Sequence, residues 1–192
     1  MDRRSETMHF LTRNELKALL EKAKKDSVRN YAMLLIAYRH GLRASETVNI
    51  KVKNVDLDAG NIRCERGKGS ISNWQQLSVD EVKALKAWLR KKPKTGSSFL
   101  FPSPSGKAMT RVGFFKVFQR LALSVGLPRE KCHPHVLKHS LGTHLANAGV
   151  PVQVIQQRLG HRNIQSTMVY LSISSGYVDK AFEVALANGA VL

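Results

Sequence analysis

Residues 133–170 of the chain read HPHVLKHSLGTHLANAGVPVQVIQQRLGHRNIQSTMVY, and this stretch decides the fold. The residues that favour helix starts in this stretch predict three consecutive helices. Pro134 and Pro151 each favour the first turn of a helix, because proline lacks the amide hydrogen that a helix start leaves unused. Ser166 can cap a third, short helix that carries Tyr170. The last third of the chain is therefore predicted to be almost entirely helical.

The region before this stretch predicts more helices. Capping signals start helices at Thr12 and Ser78, and apolar spacing predicts others over about residues 28–40, 43–49 and 110–125. The apolar positions of the last of these helices, all expected in the core, are Val112, Phe115, Val117, Phe118 and Leu121.

A small β segment interrupts the helices. Residues 62–65 and 75–77 are strand candidates that flank the glycine-rich stretch Gly67-Lys68-Gly69-Ser70, which predicts a hairpin. The predicted fold class is mainly α with a small antiparallel β-sheet, that is, α+β. We expect residues 1–8 to form a flexible N-terminal segment and residues 9–192 to form one domain.

Charge is the strongest signal in the composition. The 192 residues include 31 Lys and Arg against 14 Asp and Glu, which gives a net charge of +17. Such an excess attracts polyanions, and neutralising phosphates releases counterions. Nucleic acid is therefore the expected partner, and the alternative is a protein that is merely basic.

Hydropathy and cysteine usage exclude other classes. The apolar run over residues 31–38 is far shorter than the ~20 residues needed to cross a bilayer, so no membrane partner is expected. Cys64 and Cys132 form neither a CxxC nor a zinc pattern. They predict reduced thiols and a cytoplasmic location.

Two basic residues could bind a phosphate. Arg43 lies in Gly41-Leu42-Arg43-Ala44-Ser45-Glu46, where Glu46 shares its helix face and can orient the guanidinium. Lys68 lies between two glycines on the expected hairpin, where it could contact DNA or donate a proton to a leaving oxygen. Taken alone, each is more simply an exposed ion pair or a solvated turn.

Histidines cluster at the start of the decisive stretch. His135 and Lys138 are three residues apart on one helix face, and His139 has the i, i+4 spacing of a helical metal-ligand pair. The glutamate of an HExxH motif is missing and Lys138 adds a repelling charge, so we expect no metal. The plain alternative is that these histidines cap or pack.

Leu159-Gly160-His161 is followed by Tyr170. A tyrosine among apolar neighbours is more often a core residue than a nucleophile. Its phenol has an ordinary pKa of ~10 and needs help to attack anything.

The order of these clusters resembles the tyrosine recombinase, or phage integrase, family, which includes Xer, Cre and lambda-type integrases. The family has Arg in a GLRxSE-like motif, Lys on a β-hairpin, HxxR, LGH and then Tyr. The matching positions are Arg43, Lys68, His135 with Lys138, His161 and Tyr170. The likeness runs from about His9 to Tyr177, and it implies that residues 9–192 are a tyrosine recombinase catalytic domain.

The resemblance also implies a mechanism without metal, ATP or other cofactor. Tyr170 attacks a phosphodiester of double-stranded DNA, Arg43 and Lys138 hold the phosphate, and Lys68 protonates the leaving 5′ oxygen. His135 takes the tyrosine proton or holds the phosphate, His161 contacts the phosphate, and Glu46 supports Arg43.

Two departures from the family pattern keep alternatives open. Lys138 replaces an Arg, and a compact ammonium grips phosphate less well than a planar fork. Few residues precede the catalytic region, as in the short recombinases that invert fimbrial promoter segments or in a truncated longer protein. The alternative functions are nicking and closing like a type IB topoisomerase, and DNA-binding regulation with weakened catalysis.

The family further implies assembly on DNA. We expect a homo-oligomer, four protomers on two duplexes, in a nucleoid-associated cytoplasmic protein. The C-terminal helix, about residues 177–187, is the candidate for exchange between protomers, and packing on its own domain is the alternative.

Overall fold

The computed structural model describes residues 8–174 and 177–189. The α-helices of these residues are α1 (Arg13–Asp26), α2 (Val28–Arg39), α3 (Ala44–Val48), α4 (Val79–Lys91), α5 (Arg111–Ser124), α6 (His135–Asn147), α7 (Val152–Leu159), α8 (Gln165–Ile173) and α9 (Tyr177–Ala187). The strands are β1 (Val55–Asp56), β2 (Asn61–Cys64) and β3 (Asn73–Gln76), and single 3-10 turns occupy Val52–Asn54 and Arg129–Lys131. The predicted fold class, mainly helical with a small antiparallel sheet, is confirmed.

The sheet has the order β1-β2-β3, and both pairings are antiparallel. Ile62 lies opposite Gln75 and Cys64 opposite Asn73, so the predicted hairpin is confirmed with its strands shifted by one or two residues. The segment between β2 and β3 projects beyond the ladder toward the turn between α7 and α8. The backbone N–H of Ile71 donates to the carbonyl oxygen of Gly160 there, at 2.9 Å. The sheet thus brings the Lys68 loop to the end of α7.

The ends of the helices decide how closely neighbouring elements approach each other. The Thr12 hydroxyl accepts from the Glu15 backbone and the Glu15 carboxylate accepts from the Thr12 N–H, which confirms the predicted capping box. Gly41 follows α2 with φ +56, and a Cβ at this position would collide with a methyl group of Leu159. Glycine is therefore required there, because only a residue without a side chain allows the end of α2 to approach the end of α7.

Two apolar clusters hold the helices together. The larger one joins α1, α2, α4, α5 and the first turn of α6, with Met33, Ile36, Phe114 and Phe118 among its fully buried members. The smaller one joins α6, α7 and α8, and its buried members are Leu141, Ala146, Ile155, Leu159 and Tyr170. Tyr170, the expected nucleophile, is thus packed between α6, α7 and α8, the three helices of residues 133–170.

Three predictions about individual residues were wrong. Val112 and Phe115 are 62% and 39% exposed rather than buried, because α5 turns that part of its apolar stripe to the surface. Helix α8 begins at Gln165, one residue before Ser166, and its first N–H donates to the side chain of Asn163 at 2.9 Å. The side chain of Asn163 therefore caps the start of α8, the role that was predicted for Ser166.

The predictions for the two ends of the chain have different outcomes. Most of the N-terminal segment, residues 1–7, lies outside the described residues, and Met8 is half-buried. The C-terminal helix is confirmed as α9, and it contacts α6. Across residues 8–174 and 177–189, none of the helices has the length and apolar character needed to cross a membrane.

Candidate active site

Five of the six predicted catalytic residues line one pocket of about 170 Å³. It opens where α6, α8 and the start of α3 meet. Its lining residues are Met8, Arg43, His135, Lys138, His139, His161, Gln165, Ser166, Val169 and Tyr170. Side chains far apart in the sequence therefore converge, as the motif order predicts, while Lys68 lies apart from the lining.

Arg43 enters the pocket from the turn between α2 and α3. Its backbone N–H and its Nη1 both donate to the Glu46 carboxylate, at 2.8 and 3.0 Å, and Nη1 also donates to Ser70 Oγ at 2.9 Å. The side chain remains 38% exposed, so part of its planar fork is open to a ligand. The predicted orientation of Arg43 by Glu46 agrees with this geometry.

Glu46 is almost fully buried and receives donors from three directions. Besides Arg43, the Arg66 guanidinium donates to Oε2 at 3.1 Å and the Gly67 N–H donates to Oε1 at 3.2 Å. Burial alone would raise its pKa, but the Arg43 backbone hydrogen bond and the charges of Arg66 and Lys138 outweigh burial and lower it. Glu46 is therefore ionised and fixes the hairpin against α3.

Arg66 is a residue supporting the site that sequence reasoning missed. Its guanidinium is fully buried and donates to the carbonyl oxygens of His40, Gly41 and Arg158 at 2.7 to 2.9 Å. It therefore ties the end of α2 and the end of α7 to the hairpin. The sequence signal that could have indicated this contact is the glycine at position 160. In the structure its φ is +68, and a Cβ there would lie 2.8 Å from Arg66 Nε.

Lys138 is buried beneath the pocket, with 2% of its surface exposed. Its Nζ donates to the carbonyl oxygen of Leu159 at 2.7 Å, which leaves two further donors. Burial, followed by the positive charges of Arg66 and Arg43, lowers its pKa to about 7. This lysine therefore titrates near neutral pH in the empty site, whereas an arginine would stay charged.

His135 and His161 face the same space from two sides. His135 begins α6 and is exposed, whereas His161 follows the left-handed Gly160 and is buried, with Nδ1 3.0 Å from Thr167 Oγ1. Loss of solvent and the charges of Lys138 and Arg43 lower the pKa of His135 to about 4 and that of His161 to about 3. Both rings are therefore neutral at pH 7 in the empty site.

Tyr170 is 2% exposed and packs into the floor of the pocket. Its ring lies nearly parallel to that of His161, at 10° with centroids 6.3 Å apart. Its hydroxyl lies 3.3 Å from Nδ1 of His139. Burial raises the phenol pKa, an effect that the charge of Arg43 only partly offsets, so the phenol carries its proton in this state.

His139 is the second residue whose place in the site sequence reasoning missed. It follows Lys138 on α6 and its ring meets that of His135 edge to face, with centroids 4.3 Å apart. The i, i+4 spacing from His135 was visible in the sequence, but only as a possible metal pair. Within the described parts of the chain, no cluster of three or more His, Cys, Asp or Glu side chains could hold a metal ion.

Lys68 is exposed in the loop between β2 and β3. The loop is anchored on both sides of it. Gly67 donates to Glu46, and Ser70 both accepts from Arg43 and pairs with His161 in an isolated β-bridge. Lys68 is thus two residues from Ser70, which contacts Arg43 directly.

Comparison with known proteins identifies the family. The model of the phage integrase family matches residues 9–175. The type 1 fimbriae regulatory protein FimB of Escherichia coli (strain K12) is 37% identical over 173 residues, which cover 88% of this chain and 86% of that protein. Tyrosine recombinase XerC of Erythrobacter litoralis (strain HTCC2594) is 34% identical over 185 residues, which cover 93% of this chain and 58% of that protein.

Solved structures agree. The crystal structure of XerA recombinase is similar with a TM-score of 0.79 at 27% identity, covering 95% of this chain and 65% of that one. XerH site-specific recombinase bound to palindromic difH substrate, in a post-cleavage complex, is similar with a TM-score of 0.79 at 26% identity, covering 93% of this chain and 53% of that one. The chain therefore belongs to the phage integrase family and has the fold of the tyrosine recombinase catalytic domain. It is an enzyme that breaks and rejoins DNA.

Proposed function

We propose that this enzyme is a site-specific recombinase in which the phenol of Tyr170 attacks a DNA phosphodiester. The attack leaves a 3′-phosphotyrosyl link and a free 5′-hydroxyl. The observation that carries the proposal is that the Tyr170 hydroxyl shares one small pocket with Arg43, Lys138 and His161. A phenol is an unusual nucleophile, and this one is surrounded by groups that bind phosphate.

The pocket has the charge that a phosphate needs. Arg43 and Lys138 line it, and the fully buried Arg66 pairs with the same Glu46 carboxylate that Arg43 contacts. The free part of the Arg43 fork and the two remaining Lys138 donors bind the non-bridging oxygens. These donors are fixed before the substrate arrives, so they stabilise the charge that develops during attack.

The neutral histidines add uncharged donors to the same oxygens. When Nδ1 of His161 accepts the Thr167 hydroxyl, the ring proton lies on Nε2 and is available to the phosphate. His135 is on the open side of the pocket, where DNA arrives, and donates in the same way. Each ring thereby supplies orientation without adding charge.

Lys68 acts as the general acid that protonates the departing 5′ oxygen. The loop that holds it is tied to Glu46 on one side and to Arg43 and His161 on the other. A small closure of this loop over DNA brings the ammonium toward the scissile phosphate. The covalent link then preserves the bond energy, so the hydroxyl of a second strand can reverse the step without ATP.

We further propose that α9 docks on a neighbouring protomer when four copies assemble on two duplexes. Val178 and Phe182 of this helix are 77% and 54% exposed, and Val184 and Leu186 are nearly half exposed. A helix with this much uncovered apolar surface gains from a partner. The palindromic substrate in the XerH complex supports the binding of more than one protomer to DNA, and action on DNA would place this assembly in the nucleoid.

A covalent trapping experiment tests the nucleophile. Nicked duplexes with a randomised core lose a short strand after cleavage, so attack becomes irreversible and adducts accumulate on denaturing gels. We expect wild-type protein to enrich particular sequences as adducts, Tyr170→Phe to trap none, and the control Tyr31→Phe to trap DNA normally.

The same experiment separates the alternatives. Adducts without sequence enrichment, together with relaxation of supercoiled plasmid, would support a topoisomerase-like activity instead. Tight, salt-sensitive DNA binding without any adduct would support a regulator. A phenylalanine variant that still traps DNA would overturn the assignment of Tyr170.

A further inference from the structure

The hydroxyl of Tyr170 has a polar partner that the resemblance did not assign. Nδ1 of His139 lies 3.3 Å from it, and the two ring centroids are 6.1 Å apart with a tilt of 50°. The sequence-based expectation gave the tyrosine proton to His135. In the structure His135 is one helical turn earlier, is exposed, and meets the His139 ring with its edge.

The hydrogen bond defines which nitrogen of His139 is free. A protonated phenol donates, so Nδ1 accepts and the ring proton is assigned to Nε2. A neutral imidazole with a bare nitrogen aimed at the nucleophile is the arrangement that a general base requires. The distance from the Tyr170 hydroxyl to Nδ1 is slightly long in the empty site. Catalytic hydrogen bonds are often this long before substrate binds and shorten afterwards.

We propose that His139 is a further catalytic residue, which holds the Tyr170 phenol in place and accepts its proton at Nδ1 as the oxygen attacks phosphorus. This inference rests on the proposed function. The bond from the Tyr170 oxygen to phosphorus forms, the bond from phosphorus to the 5′ oxygen breaks, and the phenol proton moves to Nδ1. The leaving oxygen takes a separate proton from Lys68. Rejoining runs the same steps in reverse and returns the proton to the phenol.

The surroundings of His139 keep its ring unprotonated, and they also make it a weak base while the site is empty. Burial, and then the groups that face it, lower its pKa to about 3. Those groups are His133, His135 and Lys138 from its own helix and the turn before it, and His161 and Tyr170 from the packed elements. The ring is therefore neutral over pH 6–9. A bound phosphodiester, which becomes more negative during attack, offsets the charge that proton transfer creates there.

The proposal divides the work between two histidines. His135, at the open edge, contacts the phosphate, and His139, one turn deeper, serves the phenol. Removing either slows cleavage, but only the loss of His139 leaves Tyr170 without a proton acceptor. The two roles can therefore be separated by the pH dependence of cleavage.

The test compares His139→Ala and His139→Asn in single-turnover cleavage of the duplexes selected by wild-type trapping. Asparagine places a hydrogen-bond acceptor near the Nδ1 position but takes up no proton. We expect both variants to slow cleavage by about 10²–10⁴-fold, the usual size of general-base catalysis. Relative to wild type, their rates should gain about tenfold per pH unit between pH 6 and 9, because hydroxide must then ionise the phenol.

A second substrate isolates the step. In a 5′-bridging phosphorothiolate duplex the leaving sulfur needs no acid, so this substrate should rescue Lys68→Ala and should not rescue His139→Ala. Added imidazole should restore part of the His139→Ala rate. His9→Ala, which removes an exposed histidine that does not line the pocket, is the control.

Two results would overturn the role of His139. One is an asparagine variant with wild-type rate, which would mean that positioning alone suffices. The other is an alanine variant that binds DNA and cleaves within about threefold of wild type. Either result, beside a normal Tyr170→Phe defect, would leave the proposed function intact, whereas failure of wild type to trap DNA would remove both.

Discussion

The ring of Tyr170 lies directly against Gly142. A Cβ at residue 142 would be 2.6 Å from two ring carbons, closer than any real contact of this kind. Gly142 lies one turn beyond His139 on α6, so the absence of a side chain there allows the phenol to reach the His139 ring. The position of the nucleophile thus depends on a glycine whose own backbone is ordinary helix.

Gly142→Ala should therefore displace the phenol. Overpacking of this kind costs ~1–3 kcal/mol of the free energy of unfolding, and the ring moves toward solvent. Because burial raises the Tyr170 pKa, the displaced phenol should ionise at lower pH, nearer the ordinary value of ~10. Ultraviolet titration against a Tyr170→Phe reference measures this. An unchanged phenol titration with unchanged stability would mean that the ring does not pack on Gly142.

Lys138 makes the pH dependence of this enzyme differ from that of an arginine-bearing variant. Its pKa is lowered to about 7, so above pH 7 the empty site loses a cation. We expect wild-type DNA cleavage to decline as the pH rises from 7 to 9, and Lys138→Arg to preserve or raise the rate and to remove this decline. Single-turnover rates from pH 6 to 9 check it. A Lys138→Arg rate at background would show that the pocket is built around lysine.

The same pKa shift affects folding. A lysine whose folded pKa is lowered opposes folding fully below about pH 7, and this penalty vanishes as the pH rises above its unfolded value near 10.5. The stability gained by Lys138→Met relative to wild type should therefore be largest at pH 6 and shrink toward pH 10. Urea unfolding at several pH values measures the difference. A gain that does not depend on pH would contradict the buried position of the ammonium.

Arg66 should be essential for the shape of the pocket. Arg66→Met removes the hydrogen bonds to three carbonyl oxygens and leaves Glu46 short of a buried partner. Breaking a buried ion pair on one side costs ~3–5 kcal/mol of the free energy of unfolding. Chemical denaturation should show this loss, while the exposed control Arg90→Lys stays near wild type. A loss below ~1 kcal/mol would mean that α2, α7 and the hairpin hold together without it.

The exposed face of α9 should matter for assembly rather than for cleavage. Phe182→Asp places a charge in the apolar surface that would dock on a neighbour. We expect adduct formation on a single duplex within about threefold of wild type, and loss of strand exchange between two duplexes. Ala187→Ser, on the same helix, is the control. Full strand exchange by the Phe182→Asp variant would refute docking through this face.

Much of the site could be predicted because its signals are local. Arg43 with Glu46, and His135 with Lys138, are set by helical spacing alone. The capping at Thr12 and the hairpin were predicted for the same reason, since each depends on a few neighbouring residues. Tyr170 and His161 were predicted through the family resemblance, which rests on the order of the motifs and not on a local signal.

What could not be predicted depends on tertiary contacts. Arg66 becomes important only because two helix ends meet beside it, and His139 only because α8 turns the phenol toward α6. Apolar periodicity placed Val112 and Phe115 on a helix face, but periodicity does not tell whether another element covers that face. These residues are 62% and 39% exposed beside His135, where they line a shared surface pocket.

The most direct test of the central claim is to locate the DNA on the trapped protein. After nuclease and trypsin treatment, the peptide spanning residues 163–180 contains both Tyr170 and Tyr177. Fragmentation mass spectrometry should place the 3′-phosphonucleotide on Tyr170. A nucleotide on Tyr177, or on a serine of the same peptide, would contradict the account.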